Sequence, residues 1–157
     1  MPDDNKLDLD LNSQAILQNI LGLIIPGNGL LPSAGELDAT KFVRWEMKSD
    51  SETNYAVRIL IDLAESRSQQ NFEQTFIASN DRQQIEILKL IESAHRELFN
   101  ILITLVYSFY YTHPEVLSLL KPGLRAPQPD GYPMETGLIE LRKAVERRGG
   151  LYRDSSC

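Results

Sequence analysis

The chain has 157 residues, 42% of them hydrophobic and 24% charged, so it can bury the core of one globular domain without disulfides. Its formal net charge is −6. Because an acidic surface repels phosphate groups, nucleic acid is a poor candidate for a partner. The only cysteine is Cys157 at the C-terminal end, which excludes an internal disulfide, a cysteine-ligated zinc site and a CxxCH haem attachment.

Residues 1–12, "MPDDNKLDLDLN", are acidic and have neither the basic nor the apolar region of a secretory signal. We therefore expect a flexible leader, and a cytoplasmic location for the chain as written. A chain from which a signal had been removed would instead be periplasmic.

The first predicted helix begins at Asn12 or Ser13, either of which can cap it, and ends before Pro26. Its apolar residues recur at helical spacing: Ile16, Leu17, Ile20, Leu21, Ile24 and Ile25. Residues 26–36, "PGNGLLPSAGE", are rich in Gly and Pro and predict a compact turn.

Two further helices are predicted over residues 36–50 and 51–70. The second helix carries a partial apolar stripe of Leu37, Phe42, Val43 and Met47, and the third opens with a possible cap in "SETN". In the third helix the side chains expected in the core are Tyr55, Ile59, Leu60 and Leu63. A short helical turn is expected to follow, closing on the core through Phe72, Phe76 and Ile77.

A long helix is predicted from about Arg82 to Thr112, capped by Asn80 or Asp81. Its second half is apolar apart from a narrow seam of four polar residues at every fourth position: Asn100, Thr104, Ser108 and Thr112. A helix that is apolar almost all round belongs at the centre of a bundle. The uncharged run of about 15 residues is shorter than the roughly 20 needed to span a bilayer, so we expect no membrane span.

Pro114 can open a short helix over residues 114–120, since a proline in the first turn loses no hydrogen bond. Residues 121–134 contain four prolines and two glycines, which predicts a rigid extended arm. A last helix follows and ends at Gly149.

The predicted fold class is therefore all-α: an irregular bundle of five to six helices around one long central helix. It forms a single domain over residues 13–148, between the leader and a tail at 149–157.

Motifs for catalysis or metal binding do not emerge from the sequence. On one continuous helix His95 and His113 would lie roughly 27 Å apart, too far to share a metal. Glycine-containing turns are present, but without the spacing and lysine of a phosphate-binding loop. A GxSxG elbow is also missing, and the carboxylates are scattered. We predict no catalytic, cofactor-binding or metal site.

Tyrosines near the end of the long helix suggest a contact surface. We call Tyr107, Tyr110 and Tyr111 the tyrosine cluster. Tyrosine is enriched in interfaces. The competing interpretation, which the composition of the helix favours, is that the cluster belongs to the core and the rim of the bundle. A rigid arm and a basic C-terminal end would extend the contact with a partner. The alternative is that the basic residues are there because the helix dipole stabilises positive charge at a helix C-terminus. The candidate partner-binding residues are Tyr107, Tyr110, Tyr111, His113, Pro127, Tyr132, Arg147, Arg148 and Arg153.

Three stretches carry a resemblance to a known family. The stretch "IIPGNGLLPSAGELDATKFV" resembles the N-terminal part of gluconate 2-dehydrogenase subunit 3 proteins, and "YYTHPEVLSLL" and "PQPDGYPM" resemble their C-terminal segments. The residues that carry over by position are Pro26, Gly27, Pro32, Ala34, Gly35, Tyr111 and Pro114.

The resemblance implies a small helical accessory subunit without a redox centre. Such a subunit binds a large flavoprotein subunit of the glucose-methanol-choline type and supports its assembly, stability or export. Family members usually carry a twin-arginine or lipid signal, which this chain lacks as written. The alternative function is a standalone helical domain that homodimerises or binds a small apolar ligand.

Overall fold

The computed structural model describes residues 8–120. Within that range the chain forms six helices and no strand, which confirms the all-α prediction. The helices are α1 (Leu11–Ile24), α2 (Ala39–Ser49), α3 (Ser51–Phe72), α4 (Asp81–Ala94), α5 (Arg96–Thr112) and α6 (Pro114–Leu120). The predicted Pro-rich arm, last helix and tail lie outside the described residues, as do residues 1–7.

Helix α1 is capped by Asp10, upstream of the two residues that the sequence suggested. The Asp10 carboxylate accepts the backbone N–H of Ser13 at 2.6 Å, which satisfies one of the free donors of the first turn. The predicted apolar face is confirmed, because the side chains buried on this helix are Ile16, Leu17, Ile20 and Leu21.

Residues 8 and 9 are fastened to the bundle by Arg44 of α2. The Arg44 guanidinium donates to both carboxylate oxygens of Asp8, with Nε at 2.8 Å from Oδ1, and to the side-chain oxygen of Gln14 at 3.0 Å. The Gln14 amide in turn donates to the Leu9 carbonyl at 2.6 Å, and Leu9 is buried. We call this set of contacts the N-terminal clamp.

Helices α2 and α3 follow with Asp50 between them. Asp50 caps α3, accepting the N–H of Thr53 at 2.8 Å. The prediction that Tyr55 is a core residue is wrong, since its side chain is 61% exposed. The buried face of α3 consists of Thr53, Ala56, Val57, Leu60, Ile61, Ala64 and Ser68, and Tyr55 points away from it.

The predicted helix over 82–112 is divided at His95, so its continuity is a wrong prediction. The backbone of His95 leaves the helical region (φ −133°, ψ 48°). Hydrogen bonds still flank the break, because the His95 N–H donates to Ile91 at 2.8 Å and its carbonyl accepts from Phe99 at 3.0 Å. At the start of α4, Asn80 is the N-cap and forms a reciprocal capping box with Gln83. Asn80 is one of the two caps that the sequence predicted.

Helix α3 takes the central place that the sequence suggested for the divided helix. It is the longest of the six helices between residues 8 and 120, with 22 residues, and contacts α1, α2, α4 and α5. Helix α5 buries one face only, through Phe99, Leu102, Val106 and Tyr110. The polar seam is exposed, and the expectation that this half of the helix is surrounded by others is therefore wrong.

Helix α6 begins at Pro114, as predicted, and buries Val116 and Leu117. Across residues 8–120, none of the helices combines the length and the apolar character needed to cross a bilayer.

Candidate functional site

The tyrosine cluster divides into an exposed pair and a buried member. Tyr107 and Tyr111 are 42% and 50% exposed, and their rings stack with centroids 5.8 Å apart. They lie four residues apart on α5 and therefore share a face. We call Tyr107 and Tyr111 the tyrosine pair.

Tyr110 is only 2% exposed and belongs to the core. Its hydroxyl donates to the carbonyl of Pro32 at 2.8 Å. The Tyr111 ring packs edge-on against the Tyr110 ring, with the ring centroids 5.3 Å apart. Burial raises the pKa of the Tyr110 hydroxyl, and the nearby Tyr111 adds to this. In the free chain Tyr110 is therefore a core residue whose ring supports Tyr111. Its place in a partner interface stays a prediction.

Tyr110 binds a turn formed by residues 26–35. Local hydrogen bonds fix the conformation of its tip. The Asn28 side chain accepts the N–H groups of Leu30 at 3.0 Å and Leu31 at 2.7 Å, and the Asn28 N–H donates back to the Leu31 carbonyl. Gly29 has a φ of 80°, a conformation that costs glycine little. Leu30 is left 71% exposed at the tip.

The base of the 26–35 turn packs directly on α1. The Ala34 N–H donates to the Ile25 carbonyl at 3.0 Å, and Ala34 is fully buried. A Cβ at Gly35 would lie 2.9 Å from the Gln18 carbonyl oxygen and 3.3 Å from the Cα of Gly22. Most of the residues that carry over from the resemblance thus build this turn.

His113 lies in a second row of aromatic rings, apart from the stacking of the tyrosine pair. The row runs from His113 through Phe109 and Phe42 to the exposed Trp45, and the distances between successive ring centroids are 5.2, 5.3 and 6.4 Å. His113 Nδ1 is buried and has no hydrogen-bond partner in the described part of the chain. Its place in a partner interface stays a prediction.

A groove of about 180 Å³ opens beside Tyr107, where α1, α4 and α5 meet. Its lining is mostly apolar, with one lysine and one glutamate: Leu23, Ile24, Ile85, Leu88, Lys89, Glu92, Phe99, Ile103 and Tyr107. Sequence reasoning missed both this groove and Leu30. The signal for Leu30 was an apolar residue at a tip that Asn28 and Gly29 mark as a turn.

Within residues 8–120 the structure brings together no group of three or more His, Cys, Asp or Glu side chains that could hold a metal ion. The other candidate residues lie outside the described part of the chain: Pro127, Tyr132, Arg147, Arg148 and Arg153.

Comparison with known proteins gives one result. The family model described as "Gluconate 2-dehydrogenase subunit 3" matches residues 12–121, a range that includes the 26–35 turn and the tyrosine pair. A search of the curated proteins found no match, and neither did a search of the solved structures. Because the matched range covers well over half of the sequence, the chain belongs to the gluconate 2-dehydrogenase subunit 3 family.

Proposed function

We propose that the protein is a non-catalytic accessory subunit that docks on a larger flavin-dependent dehydrogenase of the glucose-methanol-choline type and stabilises it. The observation that carries this proposal is the family match over residues 12–121, since the family is described as a subunit of a dehydrogenase. A subunit of that kind needs a larger catalytic partner, and so it needs a docking surface.

The exposed face of α5 has the composition of an interface centre. Between residues 98 and 112 this helix carries no charged side chain, and the centres of protein interfaces are depleted of charge and enriched in tyrosine. The side chains exposed along this face are Asn100, Thr104, Tyr107, Ser108, Tyr111 and Thr112.

Two of the hydroxyl groups on this face are already bonded within the helix. Thr104 donates to the Asn100 carbonyl at 2.9 Å, and Thr112 donates to the Ser108 carbonyl at 2.6 Å. Removing water from these two residues leaves their donors satisfied, so covering the face costs less than covering free hydroxyls would.

The tyrosine pair is also held in position before any partner arrives. Tyr111 stacks on Tyr107 and meets the edge of the buried Tyr110 ring. Side chains that are already ordered lose less conformational entropy on binding. These contacts support Tyr111 as an anchor of the interface.

The experiment measures binding of the full chain to a flavin-dependent dehydrogenase subunit of the glucose-methanol-choline type from its native host. We expect Tyr111→Ala to weaken the Kd about tenfold or more, because truncation of a central tyrosine is costly. Tyr55→Ala is the matched control: Tyr55 on α3 is 61% exposed, against 50% for Tyr111, and its removal should change the Kd less than twofold.

Thermal unfolding of the same variants separates binding from folding. A large fall in the Tm of Tyr111→Ala with unchanged binding would contradict the proposal and assign Tyr111 to the core. A dimer of the wild-type chain that Tyr111→Ala dissociates, without binding to the dehydrogenase, would favour the standalone alternative. Sedimentation analysis detects that outcome.

The predicted contacts beyond residue 120 belong to the same proposal. The Pro-rich arm and the basic C-terminal end would extend the interface through Pro127, Tyr132, Arg147, Arg148 and Arg153. Serine substitutions of the three arginines should weaken binding more at low salt than at high salt, because exposed charge pairs are screened.

A further inference from the structure

We propose that Leu30, at the tip of the 26–35 turn, is a second anchor of this interface and enters an apolar pocket on the dehydrogenase. The inference rests on the proposed function and adds a residue outside α5. It is carried by the rigidity of the turn, by its attachment to the tyrosine pair and by the absence of charged residues from positions 26–35 and 98–112.

An exposed leucine alone carries little information, since single apolar side chains are common on protein surfaces. Leu30 differs in being presented by a rigid support. The two N–H groups bound by the Asn28 side chain fix the backbone at the tip, and Gly29 supplies the left-handed residue that the turn requires.

The turn is equally constrained below its tip. A Cβ at Gly27 would lie 3.2 Å from the Ser33 nitrogen and 3.3 Å from the Leu31 carbonyl oxygen, so the two arms of the turn are in close contact. Ser33 is itself held, because its N–H and its hydroxyl both donate to the Glu36 carboxylate, at 2.7 and 3.0 Å. An apolar side chain on such a support binds with little loss of entropy.

Tyr110 connects the turn to the tyrosine pair. Its hydroxyl binds the Pro32 carbonyl at 2.8 Å while its ring supports Tyr111. Leu30 is two residues from Pro32, so their Cα atoms lie within about 7 Å. The proposal places Leu30 and Tyr111 within the footprint of one standard interface, which covers about 800 Å² on each partner.

The composition of the two stretches that carry Leu30 and Tyr111 indicates the chemistry of the partner. Residues 26–35 contain no charged side chain, and neither do residues 98–112. The Glu36 carboxylate beside the turn already accepts two hydrogen bonds from Ser33. A charged patch on the dehydrogenase that faced these two stretches would lose its hydration without gaining an ion pair from them. The surface that fits Leu30 is an apolar pocket, in which a leucine side chain gains most from leaving water.

The test replaces Leu30 in the full chain and measures the Kd for the same dehydrogenase subunit. Leu30→Ser should weaken binding about tenfold, and Leu30→Met, which keeps the apolar volume, should stay within about threefold of wild type. Leu11→Ser is the matched control. Leu11 is 85% exposed and lies at the other end of α1, about 20 Å along the helix, so its replacement should change the Kd less than twofold.

The outcomes distinguish this inference from the proposed function. Wild-type affinity for Leu30→Ser, with weak binding by Tyr111→Ala, would overturn the role of Leu30 and leave the docking of α5 in place. Equal losses for Leu30→Ser and Leu11→Ser would also overturn it, because the effect would then not be local. A wild-type chain that does not bind the dehydrogenase would overturn both. Thermal midpoints equal to wild type confirm that each serine variant is folded.

Discussion

The hydroxyl of Tyr110 joins two parts of the chain that are 78 residues apart in sequence. It satisfies the carbonyl of Pro32 in a part of the turn that packs on α5. The same residue supports the Tyr111 ring edge-on. One side chain thus sets the position of both the 26–35 turn and the exposed tyrosine.

Tyr110→Phe tests this hydroxyl alone, since it keeps the ring. We expect the free energy of unfolding to fall by about 1 kcal/mol, the net value of a typical intramolecular hydrogen bond. Urea denaturation measures it. Tyr55→Phe, at an exposed position, should change stability by less than about 0.5 kcal/mol. Equal effects of the two substitutions would contradict the role given to the Tyr110–Pro32 bond.

The sequence predicted a tyrosine cluster but could not divide it. Spacing places Tyr107 and Tyr111 on one face, and it leaves open whether that face or the neighbouring one with Tyr110 is buried. The answer depends on which hydroxyl finds a carbonyl in the core, and that carbonyl belongs to Pro32. Contacts so distant in sequence leave no local pattern.

At the scale of elements, the close contact between α1 and the 26–35 turn depends on the missing side chain of Gly35. Gly35 lies against the backbone of α1 at Gly22 and Gln18. The Gln18 amide also donates to the Gly35 carbonyl at 3.2 Å. Close backbone approach is a use of glycine that any larger residue would prevent.

Gly35→Ala and Gly22→Ala should therefore change the free energy of unfolding in opposite directions. At Gly35 the new methyl group would lie 2.9 Å from a backbone oxygen, and we expect a loss of about 1–3 kcal/mol. At Gly22 the nearest atom would be 3.9 Å away, and alanine is favoured over glycine in a helix by up to about 1 kcal/mol. Chemical denaturation compares the two. A Gly35→Ala variant as stable as Gly22→Ala would show that the turn moves away at no cost.

The break at His95 shows what helical periodicity can and cannot predict. The buried residues of α4 and α5 recur at intervals of three or four on both sides of the break: Gln84, Ile87, Leu88, Ile91, Phe99, Leu102, Val106 and Tyr110. Residues 81–112 contain neither proline nor glycine, the usual marks of a kink. Helical periodicity therefore holds on both sides of the break, whereas the predicted continuity of the helix is wrong.

At the scale of the molecule, the N-terminal clamp ties residues 8 and 9 to α2 and α3. Asp8 binds Arg44 through its carboxylate, and its carbonyl accepts from Arg58 at 3.4 Å. The hydrogen bond from Arg44 is the main reason that the pKa of Asp8 falls below its ordinary value of 3.8. The start of the bundle thus depends on a partly exposed ion pair.

The clamp predicts a loss of stability in acid. The pKa of Asp8 is lower in the folded state than in the unfolded state. The ionised Asp8 therefore stabilises the fold above pH 3.8, and this stabilisation is lost as the pH falls through the pKa of the folded state. The Asp8→Asn variant should be less stable at neutral pH by up to about 1 kcal/mol, with a difference that disappears in acid. Asp38→Asn is the control, since the Asp38–Lys41 pair is largely exposed. A constant difference between pH 7 and pH 3 would contradict the clamp.

Trp45 gives the protein a native optical probe. It is the only tryptophan in the sequence, it lies on α2, and its side chain is 61% exposed. Because the indole already faces water in the free chain, its fluorescence responds to whatever covers α2. A blue shift on complex formation would mean that the dehydrogenase reaches α2, and an unchanged spectrum would confine the footprint to other faces. The extent of the contact can therefore be read by spectroscopy without attaching a dye.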